Sequence, residues 1–397
     1  MTAGAVLFGA GILIVLALLF ALGPSVADRL LNRVGRPGPH PLSEPARSLH
    51  RRLLVADLHA DSLLWSRDLL ARNARGHVDV PRLLEGNVAL QAFTIVTKTP
   101  RDMNVESTSS DTLDLTALLT FLQRRPVRVW RSPLERALDQ CRALRRAAAR
   151  SGGALRIIES RGDLERFLAE RRSRAGATAG FLGVEGLHCL QGSLENLEVL
   201  YRAGVRMMGL THFFDNEVGG SAHGRRKGGL TELGRRVVRR IGELEGIIDL
   251  AHASVRVIED VLAMTPRPVL VSHTGVRGTC DNNRNLSDAS VRAIASGGGL
   301  LGIGFWKDAA GSAEVRSIVR AIRYVCDLVG VEHVALGSDF DGCVRVPFDA
   351  SGMGLLTEAL VSDGFHEEEI ARIMGGNVVR FLLDHLPQET GTNRPPQ

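Results

Sequence analysis

Eight short apolar runs alternate with longer amphipathic stretches between residues 53 and 338, and that alternation limits the chain to few folds. The runs are Leu53–Leu58, Val88–Val96, Ala179–Val184, Val205–Leu210, Gly246–Leu250, Pro268–Ser272, Gly299–Gly304 and His333–Ser338. They are continuously apolar and do not alternate with polar residues, as strands covered on both faces do. The stretches between them carry helical periodicity: Leu113–Gln123, Leu134–Ala149, Asp163–Arg172, Leu194–Ala203, Thr231–Leu244, Ser254–Ala263, Ser287–Ser296 and Ala313–Leu328. Strand followed by helix, eight times over, predicts an α/β fold of the closed parallel (β/α)₈ type, a TIM barrel. Residues 98 to 172 form an insertion between the second and third strands. Leu355–Ser362 and Glu367–Leu386 are expected to close the barrel as helices.

The chain divides on the same evidence. Residues 3 to 22 are uncharged and almost wholly apolar, and about twenty helical residues span a hydrocarbon core of about 30 Å. Residues 1–27 are therefore expected to be a transmembrane segment or signal anchor. Ser25-Val26-Ala27 has the small-x-small form of a cleavage site, while Arg29, Arg33 and Arg36 would hold the following chain on the cytoplasmic side. Cleavage and sidedness both stay open. Residues 28–50, rich in proline and glycine, are expected as a linker. The barrel takes 51–387, and 388–397 form a polar tail.

The 49 basic and 44 acidic residues leave a net charge of only +5, and no basic run is interleaved with aromatics, so nucleic acid is not expected as a partner. Five scattered cysteines without CxxC spacing exclude a cysteine zinc site. A homodimer is compatible with this composition.

The informative fact is where the histidines and carboxylates fall. His59 and Asp61 follow the first run, Glu185 the third, His212 the fourth, His252 the fifth, His273 the sixth, and Asp339 and Asp341 the eighth. All lie at C-terminal strand ends, which converge on one mouth in a parallel barrel and carry the active site there. A lone histidine after a strand is usually a hydrogen-bonded loop residue. Four of twelve at the ends of the first, fourth, fifth and sixth strands, joined by carboxylates at the first, third and eighth, predict a metal centre. Residues i and i+2 of an extended segment face the same way, so His59 and Asp61 can share one ion. His252 and His273 can hold a second, with Glu185 as the candidate bridge. Imidazole and carboxylate together suit Zn²⁺, with Mn²⁺ or Co²⁺ as alternatives.

In order along the chain, Asp57-Leu58-His59-Ala60-Asp61, Gly183-Val184-Glu185-Gly186, Leu210-Thr211-His212, Asp249-Leu250-Ala251-His252, Val271-Ser272-His273, Asn283-Arg284-Asn285 and Ser338-Asp339-Phe340-Asp341-Gly342 resemble the membrane dipeptidase (renal dipeptidase) family of zinc metallopeptidases. Single motifs are short, but the ordered set spans the whole barrel. The resemblance implies two Zn²⁺ ions per chain, held by His59, Asp61, Glu185, His252 and His273, and hydrolysis of a dipeptide by a metal-bridging hydroxide. It implies that His212 contacts the substrate near the scissile carbonyl and that Arg284 grips the substrate's C-terminal carboxylate. Asp339 would pass a proton to the leaving amine. D-configured C-terminal residues and β-lactam-like amides fall within the substrates it implies. His188, where the family often has glycine, is an extra histidine expected to support the site indirectly or not at all. Two rivals carry other expectations. Another amidohydrolase-type barrel would favour His-x-His on the first strand, where this chain has His59-x-Asp61. An inactive membrane-tethered barrel would lack a ligand or the proton-transfer residue, and none is missing.

Overall fold

Leu336 pairs with Asp57, and that one parallel register joins the last strand to the first and closes the sheet. In a computed structural model that describes residues 3–35, 38, 41–173 and 176–388, with side chains described from residue 17 on except 173, the eight expected strands are all present. They are β1 (Val55–Ala60), β2 (Val88–Val96), β3 (Thr178–Glu185), β4 (Val205–Gly209), β5 (Ile247–Asp249), β6 (Leu270–Thr274), β7 (Leu300–Ile303) and β8 (Val334–Leu336). Each pairs in parallel with its sequence neighbours around the ring. A ninth short strand, Leu155–Ile157, adds to the outside of β3.

Every residue of these eight strands is buried, which is why their sequences do not alternate. Leu58, Leu90, Phe181, Met207, Leu270, Leu300 and Ala335 fill the barrel interior. The opposite faces pack against the helical layer through a larger cluster that includes Val184, Val271 and Leu336. The helices start where capping residues allow. Thr231, Ser254 and Ser287 each accept a backbone N–H from their helix's first turn, the interaction that satisfies an otherwise orphaned donor.

The structure departs from the sequence expectation in two places. The single helix expected over Glu367–Leu386 is broken at Arg372–Gly376, because a Cβ at Gly375 would lie 2.0 Å from the Leu54 carbonyl. The chain must pass this close to reach the barrel floor, and only glycine fits. The second departure is at the N-terminus. The first helix, α1, runs Ala3–Leu31, and the stretch expected as a linker is built into the barrel. Arg33–Val34 pairs in parallel with Arg345–Val346, and Glu44–Arg52 is a helix, α2, capped by Ser43. Asp28 is buried between Arg67 (3.3 Å) and Arg75 (2.9 Å), and Asn32 accepts the Cys343 N–H at 2.9 Å. Polar groups that would be solvated in a linker are here paired with residues of the barrel domain.

The expected membrane segment, residues 3–22, lies largely outside the residues whose side chains are described. Among the described residues no helix is long and apolar enough to cross a membrane. Nearly all of the expected polar tail, from 389 on, also lies outside them.

These contacts make a prediction. Deleting residues 1–45 removes Asp28 and leaves the fully buried Arg67 side chain with one carboxylate fewer. Breaking a buried ion pair costs about 3–5 kcal/mol, so this truncation should unfold at clearly lower urea than one ending at residue 22. Identical denaturation midpoints for the two truncations would show that Asp28 is not needed.

Candidate metal centre

His59, inside β1, sets the geometry. Its Nδ1 lies 3.0 Å from Ser272 Oγ, and the same oxygen lies 3.0 Å from His273 Nδ1. A serine oxygen has two lone pairs. An oxygen accepting both Nδ1–H groups would leave each Nε2 unprotonated and facing the mouth, the form that binds a metal. Such outer contacts orient metal-binding histidines. Ser272 is itself held: its N–H donates to Asp249 Oδ1 at 2.8 Å.

These Nε2 atoms and that of His252 converge on one carboxylate oxygen. Glu185 Oε1 lies 3.0 Å from His252 Nε2, 3.3 Å from His273 Nε2 and 3.5 Å from His59 Nε2. Asp61 Oδ1 is 3.4 Å from His59 Nε2 and accepts Thr94 Oγ1–H at 2.6 Å. Glu185 Oε2 faces His212 Nε2 at 3.4 Å. His252 and His273 present their Nε2 atoms to each other at 3.0 Å. Lone pairs aimed together this way repel unless a cation or proton sits among them, so the donor set fits a metal ion. Three such groupings overlap: His59, Asp61 and Glu185; Glu185, His212 and His252; His59, His273 and Asp339. All seven side chains are buried.

Electrostatics reflect this crowding. Burial drives His252 and His273 well below the ordinary histidine range, and drives His212 down to about 4. Burial also pushes Glu185 well up, helped by the Asp61 charge, and raises Asp339 to about 8. Burial lowers His59, but the charges of Glu185 and Asp61 outweigh it and lift it to about 10. These opposed shifts in one cleft mark a functional site.

Backbone geometry delivers two of these groups. His252 (φ 61°) and Asp339 (φ 60°) are left-handed, a conformation costing about 1–3 kcal/mol for such residues. The sharp turn throws each side chain into the mouth directly after its strand.

The sequence-expected residues His59, Asp61, Glu185, His212, His252, His273 and Asp339 therefore meet at one centre. Arg284 lies in its wall. It is buried, donates from Nη2 to the His273 carbonyl at 2.7 Å, and sits over the Trp306 ring with its guanidinium carbon 5.2 Å from the centroid. Burial lowers it to about 10. Asp341 goes elsewhere. It accepts from Ser62 Oγ, His77 N and Val78 N and pairs with Arg67 at 2.7 Å, tying the loop after β8 to the segment after β1. His188 bonds Thr97 Oγ1 at 2.8 Å and belongs to none of the three groupings.

Sequence reasoning missed Ser272, Thr94 and His223. His223 is buried, stacks on Phe213 with centroids 4.5 Å apart and lies 5.2 Å from His252. It follows no strand, so strand-end position could not flag it.

A family model described as membrane dipeptidase, peptidase family M19, matches residues 43–389. The chain belongs to the membrane dipeptidase family. As a member it is a metallo-dipeptidase, a hydrolase of peptide bonds. It is 26% identical over 406 residues to the dipeptidase aclJ of Aspergillus oryzae, covering 96% of this chain and 89% of that protein. The fold matches the probable dipeptidase PvdM of Pseudomonas aeruginosa, with TM-score 0.71 and 20% identity over 87% of this chain and 98% of that one. It also matches a metallopeptidase from Rhodobacter sphaeroides liganded with a phosphinate mimic of the dipeptide L-Ala-D-Ala, with TM-score 0.67 and 22% identity over 84% of this chain and 99% of that one. The metal dependence of the family agrees with a cluster of imidazole nitrogens around a carboxylate.

Proposed function

We propose that the protein hydrolyses dipeptides with a free C-terminal carboxylate, using two divalent ions, Zn²⁺ in the first place. The observation that carries this is the convergence of His59, His252 and His273 Nε2 on Glu185 Oε1 within 3.5 Å. His59 and Asp61 would hold one ion, His252 and His273 the other, and Glu185 would bridge. Such a pair of ions lowers the pKa of water and polarises a carbonyl.

The chain's own groups complete the reaction. Arg284 binds the substrate carboxylate through guanidinium nitrogens not committed to His273. His212, kept neutral by burial, orients and stabilises the oxygen of the carbonyl under attack. Asp339, grouped with His59 and His273 at the same mouth, passes a proton to the leaving amine. The reading extends to D-configured C-terminal residues, supported by the L-Ala-D-Ala mimic carried by the Rhodobacter sphaeroides neighbour. The test is metal analysis of the purified protein together with turnover of alanylalanine, in both configurations, beside a nucleoside. About two metals per chain with dipeptide cleavage is the expected result. Nucleoside turnover without dipeptide cleavage would move the function to another amidohydrolase-type barrel.

We also propose that residues 3–22 tether the barrel to a membrane. The support is the uncharged apolar sequence and a local concentration of exposed apolar side chains. Leu18, Leu19 and Leu22 on α1 are exposed, as are Leu118 and Phe121, and Phe20 touches Phe121 with ring centroids 5.1 Å apart. Deleting residues 1–22 should release an active barrel from the membrane fraction. A truncated chain that still sediments with membranes would place the tether elsewhere.

A further inference from the structure

A cavity of about 360 Å³ opens beside the metal centre, at the low end of the size range of ligand pockets. It lies between the ends of β5 and β6, against the N-terminus of the helix Val255–Met264. His252 of the centre and Arg284 of its wall both line this cavity. Its other charged residues are Arg226, Lys227, Arg256 and Arg277, and no aspartate or glutamate lines it. Among the described residues, Arg226, Lys227 and Arg256 have no ion-pair partner. Arg277 is only loosely engaged, 4.0 Å from the exposed Asp281.

The loop that carries two of these cations is fixed in place. Asp215 accepts the backbone N–H of Ser221 (2.9 Å), Arg226 (2.7 Å) and Lys227 (3.3 Å), and Ser254 Oγ donates to the Gly228 carbonyl at 2.6 Å. Asp215 is therefore turned to backbone amides, and among the described residues no carboxylate pairs with Arg226 or Lys227 where they line the cavity. Holding several like charges around one hollow is unfavourable by itself, and an anion relieves it.

We infer that this cavity is a subsite for a second anionic group on the substrate, so that the protein prefers dipeptides whose C-terminal residue has an acidic side chain. The inference rests on the dipeptide reading, in which Arg284 holds the α-carboxylate. Because Arg284 also lines the hollow, a side chain leaving the same carbon atom lies next to it. A carboxylate there meets cations on exposed stems, so the gain is moderate and salt-sensitive.

The same chemistry could be met by a free dicarboxylate, and the experiment separates the two sources. The metal-loaded full chain is assayed on alanylglutamate, alanylglutamine and alanylalanine, with and without added glutarate. The native protein should favour alanylglutamate over alanylglutamine by on the order of tenfold in kcat/KM, with the preference shrinking at high salt. In the double variant Lys227→Gln, Arg256→Gln it should fall to about parity while alanylalanine turnover is unchanged. Equal rates for the acid and its amide in the native protein, with alanylalanine cleaved normally, would overturn the subsite and leave the dipeptide reading intact. So would a glutarate effect on alanylalanine, abolished in the double variant, without any preference for alanylglutamate; the hollow would then serve a free anion. Failure to cleave any of the three would instead remove the dipeptide reading and the subsite with it.

Discussion

Glu185→Ala should lose metal as well as activity, with metal content falling from about two ions per chain to one or none. Glu185 Oε1 is the atom on which three imidazole nitrogens converge, and its other oxygen faces His212. Without that carboxylate, two divalent cations at about 3.5–4 Å have little between them to offset their repulsion. Dipeptide hydrolysis should fall by at least about 10³-fold, since both the polarising ions and the water they activate go together. Glu185→Gln keeps the shape but not the charge and should also fail to hold two ions. Elemental analysis after gel filtration reads the outcome. A Glu185→Ala protein still holding two ions would take Glu185 out of the bridging position.

Arg284→Ala should keep its metal and lose its grip on substrate. The guanidinium is buried and bonded to the His273 carbonyl, with no pairing to Asp281 or Asp288. A charge-assisted pair in such a partly desolvated place is worth on the order of 2–5 kcal/mol. At about 1.4 kcal/mol per decade, kcat/KM for a free-acid dipeptide should fall roughly thirty- to several-thousand-fold. The C-terminal amide should be a poor substrate for the native protein and suffer little further in the variant. Arg284→Lys restores charge without the planar fork and should recover only part of the loss. Equal turnover of acid and amide by the native protein would rule out carboxylate recognition by Arg284.

Asp339 and Asp341 show where sequence reasoning reached its limit. They follow the same strand at i and i+2, a spacing that in extended chain puts two side chains on one side. The rule served for His59 and Asp61, whose facing atoms are 3.4 Å apart. It fails after β8, because Asp339 and Asp341 both adopt left-handed backbone, φ 60° and 64°. One carboxylate joins the metal cluster and the other anchors Arg67 and the loop after β1. The stretch 28–34 is similar. It was expected to belong to a linker together with the proline- and glycine-rich run after it, but Asp28 and Asn32 find partners in residues 67, 75 and 343 of the barrel domain.

The sequence by itself determined the barrel, because strands covered on both faces must be continuously apolar and helical periodicity must separate them. It determined which side chains gather at the mouth too, since parallel strands in a closed ring bring every C-terminal end there. Only the tertiary structure decided how those ligands point. Ser272 reaches from β6 to hold the His59 ring on β1, and positive φ turns His252 and Asp339 inward. Asp215 directs its charge to backbone amides and leaves Arg226 and Lys227 free beside the centre. Each of these depends on contacts between residues distant along the chain or on one residue's backbone twist, and neither leaves a periodic trace in the sequence.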